Sequence, residues 1–308
     1  MFQIDAAYRM SLQSTPSSWR LGLTGYPLGH SISPQIQGAA LRSLGLQGEY
    51  RLYPVAPGAE GPGSLAELVG RLRAGDLHGL NVTIPHKQAI MPLLDELTPI
   101  ARAIGAVNTI FRQGERLIGD NTDAPGFLTD LESLTFPGFT RPAVARVALI
   151  LGAGGSARAV VYALAQAGWQ PCLAVLRPQS LQRAHSLAEE IGRVFPKPPA
   201  LGPSDLAALD FAAHPVHLIV NCTPVGMSPH PDENPWPAQL AFPAGAFVYD
   251  LVYNPAVTQL TAAARAAGLS ASTGLGMLVA QAALAFERWT GMLPGLAPLR
   301  AAAEAALR

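Results

Sequence analysis

The sequence predicts an α/β protein, and three observations lead there. Short apolar runs of strand length alternate along the chain with longer, helix-patterned segments. Val147-Ala-Leu-Ile-Leu151 runs directly into Gly152-Ala-Gly154-Gly155 and then into a helical pattern reaching Ala167. Polar side chains gather just past the predicted strand ends of the first half, where a purely structural loop has no use for them.

The first half reads in order as follows. Arg20 to Gly25 is a short strand ending in a glycine turn, and Gln35 to Leu44 is helical. Tyr50 to Val55 is a second strand and Leu65 to Arg73 a helix. Gly79 to Ile84 is a third strand stopped by Pro85, which suits the first turn of a following helix. Ala106–Phe111 and Arg116–Gly119 form a hairpin around Arg112-Gln-Gly-Glu115. Asp95-Glu96 and Glu189-Glu190 read as solvated faces of helices.

From Arg146 onward the pattern becomes strand, helix, strand. Cys172 to Leu176 is the second strand of this half, and an Ala- and Leu-rich helix follows. His217–Val220 and Ala246–Tyr249 complete a parallel sheet, and helices close the chain from Gly276 to Thr290 and near the terminus. Proline clusters at 196–203 and 229–237 read as loops.

Composition removes several function classes. Lys plus Arg and Asp plus Glu both total 21, so no sustained field attracts nucleic acid or anionic lipid. Charged residues make up 14%, against roughly 25% in an ordinary soluble domain, so much of the surface is neutral or engaged in contacts. Cys172 and Cys222 are the only cysteines, too few for a disulfide framework, and a reducing cytoplasm is the simpler reading. Residues 1–19 carry no apolar core of signal-peptide length and read as a loose extension.

The strongest local signal is Gly152-Ala153-Gly154-Gly155-Ser156-Ala157, a G-x-G-x-x-A between a strand and a helix. Gly152 permits the tight turn, Gly154 lets backbone approach a pyrophosphate, and small Ala157 lets helix and strand pack closely. The helix N-terminus adds unpaired N–H groups and a partial positive charge. The second half is therefore expected to be a Rossmann-type dinucleotide-binding domain. An NAD site usually places an acid about twenty residues on, at the end of the next strand. Here no Asp or Glu occurs between Arg158 and Glu189, and Arg177 and Arg183 stand in that region. An arginine there can pair with a 2′-phosphate, which favours NADP; the alternative is an exposed arginine at a strand end.

The first half offers a site for an acid bearing hydroxyls. Ser31 and Ser33 stand before a helix and can donate to a carboxylate, or Ser33 can cap that helix. Asn81 and Thr83 share one face of a strand, with Lys87 just past its end. Asn108 adds an amide and Asp123 a carboxylate, although Asp123 can also serve as a helix cap.

These stretches also carry a resemblance. Gly29-His-Ser-Ile-Ser-Pro34, Asn81-Val-Thr-Ile-Pro-His-Lys87, Gly105-Ala-Val-Asn-Thr109 and Gly119-Asp-Asn-Thr-Asp123 resemble motifs of the shikimate dehydrogenase family. So do Asn221-Cys-Thr-Pro-Val-Gly-Met227, Tyr249-Asp-Leu-Val-Tyr253 and Gly274-Leu-Gly-Met-Leu-Val-Ala-Gln281-Ala. They keep the family's order from about Gly22 to Glu287. The resemblance implies an N-terminal three-layer α/β substrate domain, residues 1–122 plus 275–308, and an NADP-binding Rossmann domain, residues 123–274. It implies that Ser31 and Ser33 hold the substrate carboxylate, that Thr83, Asn108, Asp123 and Gln281 bind hydroxyls, and that Asn81 and Tyr253 line the pocket. Lys87 and Asp123 would be the catalytic pair, and Thr223, Leu251 and Gly274 would frame the nicotinamide. Two departures stand out: Gln37 occupies a position where histidine is common, and Leu176 and Pro178 replace the usual Asn and Thr around Arg177.

The implied chemistry is reduction of 3-dehydroshikimate to shikimate in aromatic amino acid (chorismate) biosynthesis, with Lys87 and Asp123 serving the developing oxyanion. No metal is expected, because His214, His217 and Cys222 lack a fourth ligand. The partners expected are the small-molecule substrate alone, with no nucleic acid and no membrane, and the chain is expected to act as a monomer or homodimer. Competing readings are a quinate-type dehydrogenase with relaxed substrate or NAD use, a non-catalytic NADP(H)-binding sensor, and a folate-dependent dehydrogenase of similar shape.

Overall fold

The computed structural model describes residues 16–61, 63–134, 146–195, 204–206, 209, 211 and 215–308. The proline-rich stretch at 196–203, His214 and most of the N-terminal extension lie outside the described residues. Two compact units emerge, one formed by residues 1–126 with 278–308 and the other by residues 127–277. Among the described residues no helix is long and apolar enough to cross a membrane.

The first unit is built on a six-stranded mixed sheet. Its strands are β1 (Trp19–Gly25), β2 (Gly48–Pro54), β3 (Gly79–Val82), β4 (Glu96–Leu97), β5 (Thr109–Gln113) and β6 (Arg116–Asp120), in the spatial order β2-β1-β3-β5-β6-β4. β1 pairs in parallel with β2 and β3, while β3–β5 and the β5–β6 hairpin are antiparallel. Its helices are α1 (Ser33–Ser43), α2 (Leu65–Ala74) and α3 (Pro99–Ile104). The sequence explains where two of them start and stop. Ser64 accepts the Glu67 N–H and Thr98 the Ala101 N–H, while Gly75 and Gly105 end the helices in the left-handed region.

Alternation along β3 sets the layers. Leu80 and Val82 join Leu68, Val69 and Leu72 of α2 in a buried apolar cluster with Ile110 and Leu117. Asn81 faces the other way, where Tyr50 and Trp289 lie tilted against each other at 6.3 Å. The second face is covered by the end of the chain. Helix α4 (Asp123–Ser133) follows β6, and α8 (Leu275–Thr290) and α9 (Leu296–Ala306) return to this unit, with α9 packed on α1.

The second unit holds β7 (Val147–Leu151), β8 (Gln170–Val175), β9 (Ser204–Asp205), β10 (Leu218–Asn221), β11 (Phe247–Asp250) and β12 (Ala271–Thr273). They form one sheet in the order β12-β11-β10-β7-β8-β9, every pairing parallel. Counted from β7, the order is that of the doubly wound dinucleotide-binding fold. Helices α5 (Gly155–Gln166), α6 (Leu181–Val194) and α7 (Gln259–Ala266) connect the strands. β7, β10 and β11 are buried on both faces, which is why each reads as a continuous apolar run rather than an alternation.

Three local expectations need correction. The third strand ends at Val82, and no helix follows Pro85: residues 84–90 are turns, with a short 3-10 helix at Met91–Leu93. The reason is tertiary, because the carbonyl of Lys87, which an α-helix would give to residue 91, accepts the N–H of Val107 at 2.8 Å. Asp95 and Glu96 are not helical; Glu96 belongs to β4, Asp95 pairs with Arg73 and accepts the Leu117 N–H, and Glu96 pairs with Arg116. Glu190 does lie on a helix, but its carboxylate engages the buried Arg158 instead of standing free in solvent.

Candidate active site

The polar residues of the first half converge at one end of its sheet. Lys87 is carried there by the turns after β3, Asn108 by the approach to β5, and Asp123 by the first residue of α4. Lys87 Nζ donates to Asp123 Oδ2 at 2.6 Å, and both side chains are nearly buried, at 10% and 8% exposure. Asn108 Nδ2 donates to Asp123 Oδ1 at 2.7 Å and lies 3.4 Å from Gln281 Oε1 on α8. Both carboxylate oxygens are thus engaged, and the ammonium has two further N–H groups to offer a bound oxygen.

A supporting layer fixes Asn108. Its Oδ1 accepts the Thr122 N–H at 2.8 Å and the Thr109 hydroxyl at 3.0 Å. Asn81 Nδ2 donates to the Asn108 carbonyl and to Thr109 Oγ1, both at 3.1 Å, and Asn81 Oδ1 accepts from Tyr50 at 2.8 Å. Burial raises the Tyr50 phenol well above its usual range, so it stays a neutral donor in this network. Because each amide is pinned at both ends, the rotamer of Asn108 and hence the carboxylate it holds are set before any ligand arrives.

Two expected capping roles do not hold. Helix α1 has no side-chain cap; the Ser33 N–H donates to Ser31 Oγ at 3.3 Å, and both serines are half-buried. Asp123 does not cap α4 either, since Asn121 Oδ1 accepts the N–H groups of Asp123 and Ala124. Thr83 sits one residue beyond β3, half-buried, with its N–H on the Thr24 carbonyl at 2.8 Å. Among the described residues, the hydrogen-bonded cluster joins Lys87, Asp123, Asn108, Asn81 and Gln281; Ser31, Ser33 and Thr83 stand outside it. His86 is turned away, its Nε2 lying 2.6 Å from the Val55 carbonyl.

Several participants went unread in the sequence. Asn121 is one, although an asparagine two residues before a helix is a recognisable cap signal. Gln37, marked in the sequence only as standing where histidine is common, is buried, and its Nε2 donates to the Ala282 carbonyl at 3.1 Å, fastening α1 to α8 beside Gln281. Asp120 and Tyr50 carried no local signal, because only the fold brings their partners to them.

The second unit presents its glycine turn where β7 ends. Gly152 has φ +105°, which a side chain would strain, and a Cβ there would meet Thr223 Cγ2 at 3.0 Å. Gly154 is the N-cap of α5 in extended conformation, with no side chain capping the helix and no acid in its first turn. A Cβ at Gly154 would meet open space, so no side chain or backbone crowds the start of α5 there. Ala157 is fully buried, Ala153 lies in the turn, and Ser156 is in the first turn of α5. These features fit a pyrophosphate.

Arg158 contributes its charge elsewhere, because it is buried in a two-pronged ion pair that holds the Glu190 carboxyl below the usual carboxylate range. Arg177 and Arg183 are exposed just beyond β8 and on α6, without a neighbouring acid in that sequence stretch. Thr223 follows β10, its Oγ1 donating to Asn221 Oδ1 at 2.7 Å. Asn221 in turn donates to Asp250 at 2.8 Å. Leu251 follows β11, and a Cβ at Gly274, after β12, would lie 2.5 Å from the Leu251 carbonyl oxygen. In a parallel sheet all these positions fall at the same carboxyl edge as the glycine turn. Tyr253 lies two residues beyond Leu251, half-buried, and burial raises its phenol above the usual value. His217, weighed above as a metal ligand, accepts the Val147 N–H on Nδ1 at 3.2 Å.

Known proteins resemble this chain over most of its length. The model of the shikimate dehydrogenase substrate binding domain matches residues 23–110, and that of the shikimate 5'-dehydrogenase C-terminal domain matches residues 274–304. A shikimate dehydrogenase (NADP(+)) of Salinibacter ruber is 42% identical over 269 residues, 87% of this chain and 90% of that protein. The crystal structure of shikimate 5-dehydrogenase from Thermus thermophilus, in complex with NADP(H) and shikimate, superposes with a TM-score of 0.78 at 39% identity, covering 94% of this chain and 100% of that one. Quinate dehydrogenase from Corynebacterium glutamicum, in complex with NAD, gives a TM-score of 0.80 at 32% identity, covering 94% and 97%. With two domain models matching in order and relatives above 40% identity over most of its length, the chain belongs to the shikimate dehydrogenase family.

Proposed function

We propose that the chain is an NADP-dependent shikimate dehydrogenase, interconverting 3-dehydroshikimate and shikimate. The observation that carries this reading is the buried Lys87–Asp123 pair, 2.6 Å apart, with Asn108 and Gln281 beside it in a chain of this family. The first unit serves as substrate domain. Ser31 and Ser33 take the carboxylate at the start of α1, and Thr83, Asn108, Asp123 and Gln281 take hydroxyls. The Lys87 ammonium donates a proton to the carbonyl oxygen as it becomes an alcohol, and in the reverse direction the neutral Lys87 amine takes that proton back. Asp123 aims that ammonium at the reacting oxygen, and its carboxylate is itself held by Asn108.

The second unit serves as NADP domain, with the N–H groups after Gly152 and at the start of α5 holding the pyrophosphate. Arg177 and Arg183 answer the 2′-phosphate. Thr223, Leu251 and Gly274 border the nicotinamide. The nicotinamide, when bound, supplies the hydride. Two cysteines, Cys172 and Cys222, are too few for a disulfide framework, which supports a cytoplasmic setting, where the chain acts as a monomer or homodimer.

Initial rates with shikimate and with quinate, each with NADP⁺ and with NAD⁺, test the reading. The expected result is a kcat/KM for shikimate with NADP⁺ at least about tenfold above the other three combinations. Preference for quinate with NAD⁺ would replace it with the quinate-type reading. Tight NADPH binding without turnover of either acid would replace it with the sensor.

A further inference from the structure

The face of α8 that carries Gln281 carries a second polar residue two turns later. Arg288 lies seven positions on, about 10 Å along the helix and nearly in line with Gln281. Its Nε donates to Asp120 Oδ2 at 2.6 Å, and the two side chains are 11% and 2% exposed. Asp120 Oδ1 accepts the Thr98 hydroxyl at 2.6 Å. Its backbone carbonyl accepts the Asn108 N–H at 3.0 Å. Asp120 also stands three residues before Asp123. The Asp120–Arg288 pair therefore joins the same two pieces of chain that carry Asp123 and Gln281. Asp120 ends β6 and Asp123 begins α4 three residues on, while Arg288 and Gln281 lie on α8.

Stability alone is a poor account of this ion pair. Removing two charges from water offsets most of their attraction, and Nη1 of Arg288 is buried with no hydrogen-bond partner among the described residues. The ring of Phe111, 5.7 Å below the guanidinium, contributes a packing surface but no acceptor. What the pair does supply is register. A helix can slide or rotate against an apolar sheet at small cost, whereas a guanidinium seated on a carboxylate by its Nε has one position. Gly126 shows how tight the required placement is, since a Cβ there would lie 2.7 Å from the backbone nitrogen of Gln281.

We infer that Arg288 is a positioning residue for the reaction: seated on Asp120, it fixes the axial position of α8 so that Gln281 meets the Asn108–Asp123 end of the site. This rests on the shikimate dehydrogenase reading given above.

A double-mutant cycle tests it. Arg288→Gln and Arg288→Lys are each made alone and together with Gln281→Ala, and kcat and KM are measured for shikimate and for NADP⁺. Lysine keeps the charge but not the directed Nε–H, so Arg288→Lys is the variant to carry the cycle if Arg288→Gln does not fold. Each Arg288 variant is expected to lower kcat/KM for shikimate by about tenfold or more while the KM for NADP⁺ moves less than about twofold. Gln281→Ala is expected to cost about tenfold in the wild-type background and less than about threefold once Arg288 is replaced. An equal cost of Gln281→Ala in both backgrounds would overturn the inference and leave the pair as a stability element. A wild-type protein that does not oxidise shikimate with NADP⁺ would instead overturn the functional reading.

Discussion

Asn121 Oδ1 accepts the backbone N–H of Asp123 at 3.1 Å and that of Ala124 at 3.3 Å, so the start of α4 is capped by the residue two positions before it. The division of labour matters chemically. A side chain at the N-cap ordinarily accepts the N–H groups two and three residues further on, and Asn121 holds that place here. With those groups already satisfied, the Asp123 carboxylate is released to Lys87 and Asn108.

Asn121→Ala is therefore expected to cost more than a cap. The loss of stability should be about 1 kcal/mol, read from urea unfolding. Turnover should fall as well, because the backbone that carries the Asp123 carboxylate is then no longer fixed by Asn121. An unchanged kcat in a destabilised protein would show that Asn121 serves the helix alone.

Lys87→Met keeps most of the apolar stem and removes the ammonium. The expected kcat falls by about two to four orders of magnitude, while the Kd for NADPH, followed by nucleotide fluorescence, stays within about twofold. Equal losses in turnover and nucleotide binding would make the lysine structural.

At Gly154 helix stability and cofactor binding pull in opposite directions. Asp at this N-cap, where φ is −88° and ψ −172°, would supply the missing cap of α5, and its Cβ has room. The same carboxylate would repel a pyrophosphate at the helix N-terminus. Gly154→Asp is expected to raise the Kd for NADPH about tenfold or more with no loss in Tm and no change in KM for shikimate beyond about twofold.

His78 gives the fold an acid sensitivity unrelated to catalysis. Its Nδ1 accepts the Arg20 N–H at 2.9 Å, which a protonated ring cannot do. Burial, then the charges of Arg20 and Arg112, lower its pKa from 6.5. The unfolded chain therefore takes up a proton that the folded chain refuses. The His78 contribution is complete above about pH 6.5 and is lost as the pH falls from there through the lowered native value. The Tm measured from about pH 8 to about pH 5 should fall in the wild type, and the fall should be shallower in His78→Asn, whose Oδ1 accepts the same bond without titrating. Parallel profiles would exclude His78 as the source.

Legibility differed between the two units for a physical reason. The turn from Leu151 through Gly155 and the buried runs of β7, β10 and β11 are local patterns, and local patterns survive in one dimension. The brief strands β4, β9 and β12 exist because a neighbouring strand offers its hydrogen-bonding edge, so no propensity announced them. The turns at 84–90 likewise defeated a helix expectation, since the competing partner of the Lys87 carbonyl is Val107, twenty residues away.

By itself the sequence determined the α/β class, the glycine turn of the second unit, the absence of an acid after β8, and the residue types from which a site for a hydroxylated acid can be built. Only the tertiary structure decided that Lys87 and Asp123 touch, that Asn121 rather than Asp123 caps α4, and that Gln37 and Arg288 hold α8 in place. Backbone preferences and apolar periodicity act over a few residues and are written in neighbouring letters. A hydrogen bond between side chains 36 residues apart, or 168, depends on where every intervening turn delivers its ends.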